Sequence, residues 1–521
     1  MRGVLNLGKV VAAHARVQPK KIGARDSRRT LTFGQWNARA CQLANALSGL
    51  GLGKGDRVAV LACNRVEWME IYVGLAKAGL VAVPVNFRLV GPEIRYIAEH
   101  CQARALIVQD ELLDSAEGLR GELAIADNAW IHIGKTTPPG WTGYEALIAA
   151  ASDRAPEVAV QPTDTWALMY TSGTTGRPKG AIRNHEGSAL ISLVTALDMG
   201  LTRDDIAFLA MPMCHANSLY FAFTFTYLGA TCVIDDRRSF EPEALLAAMV
   251  SQRVTFTSLV PTQYIMTLGL PGDVKAAYDV SRVRKLMISS APARKDTKLA
   301  ILEYFRHSQL HELYGSTEAG WVTLLRPDEQ IEHIDSVGRE WTGSAPVKML
   351  DPQGREVPDG EVGELYSCTP YTFDGYLGDP ARTAESLRDG YCSVGDMARR
   401  DEHGFIHLVG RTSNMIISGG ENVYPSEIEN MLGGYPGVKD VAVVGVPHPK
   451  WGEAVHAVIV MHEGARATDV EIVAWCRDKM AGYKRPRSVS FIGEAELPRT
   501  ATGKILHRVL RERASAARAD A

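Results

Sequence analysis

Apolar positions in the first 160 residues follow two alternating spacings. Trp36, Ala40, Leu43, Ala44 and Leu47 recur at three and four residues, the period of one helix face, and the Gly-rich run 49–55 ends that helix. Short unbroken apolar runs at 58–61, 81–85 and 105–108 predict buried strands. Between them, 67–78 reads as a helix stopped by Gly79, and Pro92 opens another. This β-α-β alternation predicts an α/β fold with largely parallel sheets covered by helices. The longest apolar stretch, 219–234, is interrupted by Thr224, Thr226 and Gly229. It falls short of the ~20 residues a membrane span needs and predicts a buried strand or helix.

The texture changes after about residue 335. The segments 360–367 and 401–411 read as short strands joined by Gly turns, a small β-rich subdomain. Beyond Arg411 a new unit begins. Ser426 and Glu429 have the spacing of a capping box. The runs 441–446 and 455–460 predict strands, 472–480 predicts a helix, and the Ala- and Arg-rich last ten residues predict a frayed tail.

Length and composition narrow the class. A chain of 521 residues exceeds one compact core, so several domains are expected. A net charge of −3 lacks the basic excess of a nucleic-acid binder. The eight cysteines are scattered without a CxxC pair, which argues against zinc or redox motifs and fits the reduced thiols of a cytoplasmic protein. The N-terminus lacks the apolar core of a signal peptide.

Four short motifs carry the candidate chemistry. Residues 171–180, TSGTTGRPKG, combine the hydroxyls of Thr171, Ser172, Thr174 and Thr175 with Gly173, Gly176, Gly180 and Lys179. Glycines let backbone N–H groups approach anionic oxygens, hydroxyls donate further hydrogen bonds and the lysine adds a point charge, a mixture suited to polyphosphate. The spacing is not that of a Walker A loop, and in isolation the segment also reads as an exposed turn. Next comes Tyr314-Gly-Ser-Thr317-Glu318, where a carboxylate beside hydroxyls suits Mg²⁺ and phosphate, or simply a capped helix start. Then Ser393-Val-Gly-Asp396, with Arg411 fifteen residues on, suits a ribose or a surface ion pair. Last is Pro498-Arg-Thr-Ala-Thr-Gly-Lys504, by itself an ordinary solvated lysine.

Together, in this order, the four motifs resemble the adenylate-forming superfamily of acyl-CoA synthetases, 4-coumarate:CoA ligases, luciferase and peptide-synthetase adenylation domains. The resemblance spans about residues 30–510. It implies a large N-terminal domain, 1–411, of two α/β subdomains plus a β-barrel, and a small mobile α+β domain, 412–521. It implies two half-reactions: ATP and a carboxylate give acyl-AMP and pyrophosphate, then coenzyme A takes the acyl group. By the same resemblance the 171–180 loop would hold the β- and γ-phosphates. Tyr314 would stack near adenine with Ala291 and Pro292 on its other side. Thr317 would meet the α-phosphate, Glu318 would hold Mg²⁺, and Asp396 with Arg411 would bind the ribose. Lys504 would bridge the carboxylate and α-phosphate, and would be a target for a lysine acetyltransferase and deacetylase, since acetylation removes its charge.

The second half-reaction implies rotation about a hinge at Ser413, where many relatives carry Asp or Lys. The face brought up for CoA would include Gly419 and Gly420, with Trp451 on the CoA adenine and Arg485 on its 3′-phosphate. His215, in Pro212-Met-Cys-His215, would sit near the carboxylate end of the acyl tunnel. No basic residue lies in that segment or in 314–323, which favours a monocarboxylic acid, and no aspartate lies in 211–226, which disfavours an amino acid. Trp321, with Met213, Phe221 and Phe223, suggests an apolar acid of moderate size: aromatic, medium-chain or alicyclic. A carrier protein in place of CoA is the alternative acceptor. The pattern does not decide between a monomer and a homodimer.

Overall fold

The computed structural model describes residues 6–171, 178–291, 293–418, 421–477, 479–500 and 503–519. The chain divides into two compact units. The first comprises 1–330, 340–346 and 367–392; the second comprises 331–339, 347–366 and 393–521. The strands carrying Asp396 and Arg411 thus group with the C-terminal residues, upstream of the 411/412 boundary expected from sequence.

The first unit contains two large sheets. One has seven strands in the order Thr142–Gly143, Trp130–Ile133, Ala103–Gln109, Arg57–Leu61, Val81–Val85, Thr165–Thr171 and Lys179–Asn184, parallel except for the last antiparallel pair. The predicted helix Glu67–Ala78 and strand Val81–Val85 form as read, with Gly79 left-handed between them at φ 66°. The other sheet has a parallel centre of Thr231–Ile234, Ile206–Leu209, Phe256–Leu259, Lys285–Ser289 and Gln309–Ser316, with Gly320–Leu325 antiparallel on the last.

The apolar stretch 219–234 resolves into a helix, Ala216–Leu228, and a strand, Thr231–Ile234, joined through left-handed Gly229. The helix is apolar on all sides because it lies between layers. Phe223 packs on Trp166 and Tyr72 (centroids 5.0 and 5.8 Å), whereas Phe221 and Phe225 pack on Phe256 (4.9 Å each). Phe223 therefore points away from Trp321, contrary to the grouping expected above; Phe221 stays beside it at 5.7 Å.

Two buried histidines give this unit a pH dependence. Burial holds His185 and His311 at about 4. The unfolded chain takes up these protons near 6.5, so stability present above that pH is lost as pH falls toward 4, by up to about 3 kcal/mol per histidine. The thermal midpoint of the first unit is expected to be clearly lower at pH 5 than at pH 7.5, and equal midpoints in calorimetry would refute it.

The second unit holds a four-stranded antiparallel sheet in the order Lys348–Leu350, Gly363–Tyr366, Asp396–Arg400 and Ile406–Arg411. A further sheet is built on the long hairpin Val438–His448 and Gly452–Met461. Three local expectations are corrected here. Ser426 lies inside the helix Pro425–Leu432 and bonds the Val409 carbonyl, while Glu429 accepts from the Val443 N–H and from His507, so no capping box forms between them. The box instead opens the next helix, with Thr468 and Glu471, and that helix ends at Trp475 rather than 480. The tail is helical over His507–Ala519, anchored by Leu510 in the core of this unit. No described helix is long and apolar enough to cross a membrane.

Candidate active site

Two hairpins meet in the first unit. Thr171 ends a strand whose chain returns antiparallel at Lys179, and the two residues pair directly. Thr171 and Lys179 therefore stand together at the C-terminal end of a parallel strand, where α/β sheets bind ligands. Ser172, Gly173, Thr174, Thr175 and Gly176 lie outside the described residues. The second hairpin, Gln309–Ser316 and Gly320–Leu325, carries Thr317 and Glu318 at its tip. It closes so tightly that a Cβ on Gly315 would fall 2.2 Å from the Gly320 carbonyl oxygen, which explains the glycine in the second motif.

The Glu318 carboxylate is buried, 6% exposed, and joins the two tips. Its Oε1 accepts from the Thr171 hydroxyl at 3.1 Å and from the Tyr376 hydroxyl at 2.9 Å. Lys179 Nζ lies 4.8 Å from the Tyr376 ring centroid. Burial, and then neighbouring Arg382, lowers the Lys179 ammonium, with Glu318 and Asp379 opposing. Burial and Glu318 raise the Tyr376 phenol, which stays a donor.

Arg183 holds this corner from behind. It lies on the returning strand, is 1% exposed, and donates from Nη1 to the Thr317 and Glu318 carbonyls (3.1 Å each) and from Nη2 to the Tyr371 carbonyl (2.6 Å). Its guanidinium also faces the Tyr220 ring at 5.5 Å. Sequence reasoning missed both Arg183 and Tyr376. An arginine in GAIRN looks like a solvated edge-strand charge. Tyr376 sits in segment 374–377, whose pairing onto Gly180 and Ile182 is visible only in three dimensions.

The remaining expected residues of this unit line nearby strand ends. Ser289 pairs with Leu313, which puts Ala291 and Tyr314 at the same end of adjacent parallel strands. Ser290 between them is left-handed at φ 69°, a strained conformation for a side chain with Cβ and one that recurs at functional sites. Pro292 lies outside the described residues. His215 occupies the N-cap position of the helix Ala216–Leu228, and its carbonyl accepts from the Leu219 N–H at 3.1 Å. Trp321 is buried, its indole N–H donating to Thr195 at 2.8 Å and its ring edge-on to Tyr220 at 5.5 Å.

In the second unit Asp396 and Arg411 are cross-strand partners, with Arg411 Nε donating to Asp396 Oδ1 at 2.7 Å. Asp396 is buried and the Arg411 side chain is half exposed. Ser413 follows in a short 3₁₀ turn, Thr412–Asn414, pinned by the Thr412 N–H to the Gly395 carbonyl. Lys504 is exposed at the end of a tight turn. There its N–H bonds the Thr500 hydroxyl, its carbonyl accepts from the Thr500 N–H, and Arg499 donates to the Gly503 carbonyl. Gly419 and Gly420 lie outside the described residues; Ser418 pairs with both Glu421 and Gly452, the residue after Trp451. Arg487 and Lys450 flank the Trp451 ring at 5.4 and 4.7 Å, whereas Arg485 turns back to the Met480 carbonyl.

Residues 11–377 match the AMP-binding enzyme family, and residues 427–504 match the C-terminal domain of AMP-binding enzymes. The chain belongs to this adenylate-forming family. It is 37% identical over 509 residues to a feruloyl-CoA synthase of Amycolatopsis sp, covering 97% of this chain and 99% of the relative. It is 33% identical over 508 residues to an indoleacetate–CoA ligase of Aromatoleum aromaticum, covering 96% of each. Among solved structures of adenylate-forming enzymes, the anthranilate CoA ligase AuaEII with anthranoyl-AMP superposes with a TM-score of 0.90 at 28% identity, over 99% of this chain and 98% of that one.

Proposed function

We propose that this protein is an ATP-dependent, AMP-forming carboxylic acid:CoA ligase for a compact, ring-containing monocarboxylic acid. One observation carries the reading most directly: the Thr171–Glu318 hydrogen bond joins two motifs 147 residues apart into one phosphate-binding corner. Full-length similarity to acid:CoA ligases supports it.

In the first half-reaction a carboxylate oxygen attacks the α-phosphorus, forming the acyl–phosphate bond as the bond to pyrophosphate breaks. The Lys179 ammonium and the 171–180 hydroxyls hold the departing pyrophosphate, and Thr317 meets the α-phosphate. Asp396 accepts the ribose hydroxyls and Arg411 orients it. Lys504 neutralises charge developing between the carboxylate and the α-phosphate. In the second half-reaction the CoA sulfur attacks the acyl carbon and AMP leaves. The face around Trp451 and Arg485, with Arg487 now beside the indole, receives the CoA nucleotide after rotation about Ser413.

The donor set fits Mg²⁺. Glu318 offers a hard oxygen ligand at the phosphate corner, and Mg²⁺ is commonly held by one or two carboxylates plus substrate phosphates. The ion would neutralise phosphate charge there.

The rings of Phe221 and Trp321 suit a flat, compact acid, in keeping with the aromatic acids named for the relatives. Arg183 is a buried cation near Tyr220, but its guanidinium donates to three backbone carbonyls, which leaves the monocarboxylate reading in place. A panel of aromatic, medium-chain and alicyclic acids, compared by kcat/KM for AMP release with CoA, tests the proposal. Acid-dependent AMP and an acyl-CoA thioester are expected. Release of ADP, or no thioester with any acid, would refute it, and transfer only to a carrier protein would shift the acceptor.

A further inference from the structure

The turn that carries Lys504 is tied to a distant strand by one arginine. Arg499 bridges antiparallel to Ile505, and the Leu506 N–H donates to the Pro498 carbonyl at 2.9 Å, so the chain enters and leaves the turn side by side. The peptide unit joining Gly503 to Lys504 is held at both of its polar atoms. Arg499 Nη1 donates to the Gly503 carbonyl at 2.7 Å, and the Lys504 N–H donates to the Thr500 hydroxyl at 3.1 Å. A peptide unit is planar, so fixing both atoms constrains the direction in which the Lys504 side chain leaves the backbone.

Arg499 is itself aimed by Asp440. Its Nη2 donates to Asp440 Oδ2, while Asp440 Oδ1 accepts from the Val441 N–H at 2.9 Å. Asp440 lies on Val438–His448, whose pairing onto Gly452–Met461 is irregular at this point. Val438 faces Met461 and Asp440 faces Val460, so Lys439 is an extra residue. Successive side chains of a regular strand point to opposite faces, and a bulge re-aims them. Here Lys439 reaches Glu494 at 2.5 Å and Asp440 reaches Arg499, so both charges meet one segment, 494–499. Just past the turn, His507 Nε2 lies 2.7 Å from Glu429 Oε1, which also accepts from the Val443 N–H of the same strand. The Lys504 turn is thus anchored against one strand on both sides.

We infer that Arg499, held by Asp440, is a positioning residue for Lys504, which presets the ammonium for the acid-activating half-reaction without itself touching the substrate. This rests on the ligase reading above and on the role proposed there for Lys504. The exposure of the pair separates positioning from stability. The Arg499 and Asp440 side chains are 28% and 35% exposed, and ion pairs this open to water contribute little to folding. Placement is more sensitive: an ammonium on an unpinned turn spends little of its time in the reactive geometry.

The test measures carboxylate-dependent ATP–pyrophosphate exchange and, separately, acyl-AMP consumption by CoA in full-length variants. Arg499→Met is expected to lower kcat for exchange by about 10- to 100-fold, with KM for ATP and the CoA step near wild type. Asp440→Ala should lose severalfold in the same step. Arg499→Lys should recover only part, because one ammonium cannot hold both acceptors as a planar fork does. Glu494→Gln breaks the neighbouring pair from the same bulge and should leave exchange unchanged. The deciding measurement is a double variant. In a Lys504→Ala background Arg499→Met is expected to cost nothing more, since a group that acts through another loses its effect when the other is gone. A further loss there, equal losses in both half-reactions, or a loss in Glu494→Gln matching that in Arg499→Met would overturn the inference. If Arg499→Met does not fold, Asp440→Ala in the same two backgrounds decides it. Absence of acid-dependent exchange in the wild-type protein would defeat the ligase reading and this one with it. Exchange that Lys504→Ala slows but Arg499→Met and Asp440→Ala do not would defeat this one alone.

Discussion

Replacing Lys504 with alanine is expected to slow acyl-adenylate formation by a factor on the order of 10²–10³, while coenzyme A still reacts with preformed acyl-AMP at near the wild-type rate. The expectation follows from where the charge is needed. Attack on the α-phosphorus brings two anions together, and an ammonium placed between them acts only while that bond forms. Thioester formation from acyl-AMP has no such encounter. The fold should tolerate the change, because Lys504 is exposed and its turn is held by backbone bonds to Thr500 and by Arg499. Carboxylate-dependent ATP–pyrophosphate exchange measures the first half-reaction, and acyl-AMP consumption by CoA measures the second. Equal losses in both would remove the assigned role.

Arg183→Met is expected to destabilise the first unit by about 3–5 kcal/mol and to abolish most adenylation. Methionine matches much of the arginine volume, so the effect isolates the guanidinium. Its loss strips a charged donor from the carbonyls of Thr317, Glu318 and Tyr371 in a buried setting, and each abandoned acceptor costs about 1–3 kcal/mol. The thermal midpoint should fall by on the order of 10 °C. Residual folded protein should also bind phosphate poorly, because a shift of about 1 Å at a catalytic group can cost on the order of 10²-fold in rate. Arg183→Lys is not expected to rescue, since one ammonium cannot span three carbonyls as a planar fork does. Calorimetry together with pyrophosphate exchange checks this, and a variant within twofold of wild type in exchange with an unchanged midpoint would contradict it.

Local patterning made much of the framework legible. The helix Glu67–Ala78 and the strand Val81–Val85 carry their own punctuation in Gly79, and the four motifs carry residue types that only a few chemistries use together. Expectations failed where a local signal met a stronger distant partner. Ser426 and Glu429 have capping-box spacing, but Val409, Val443 and His507 claim their side chains. The Ala- and Arg-rich tail is helical because Leu510 finds a core to join.

By itself, the sequence determined the α/β alternation, the order of the motifs and the nucleotide chemistry, because periodicity, Gly turns and residue type are properties of short segments. Tertiary structure alone decided which groups converge. It brought the Thr171 and Tyr376 hydroxyls to the Glu318 carboxylate and set Arg183 behind them. Those are facts of long-range packing and of polar groups removed from water, and no window along the chain contains both partners.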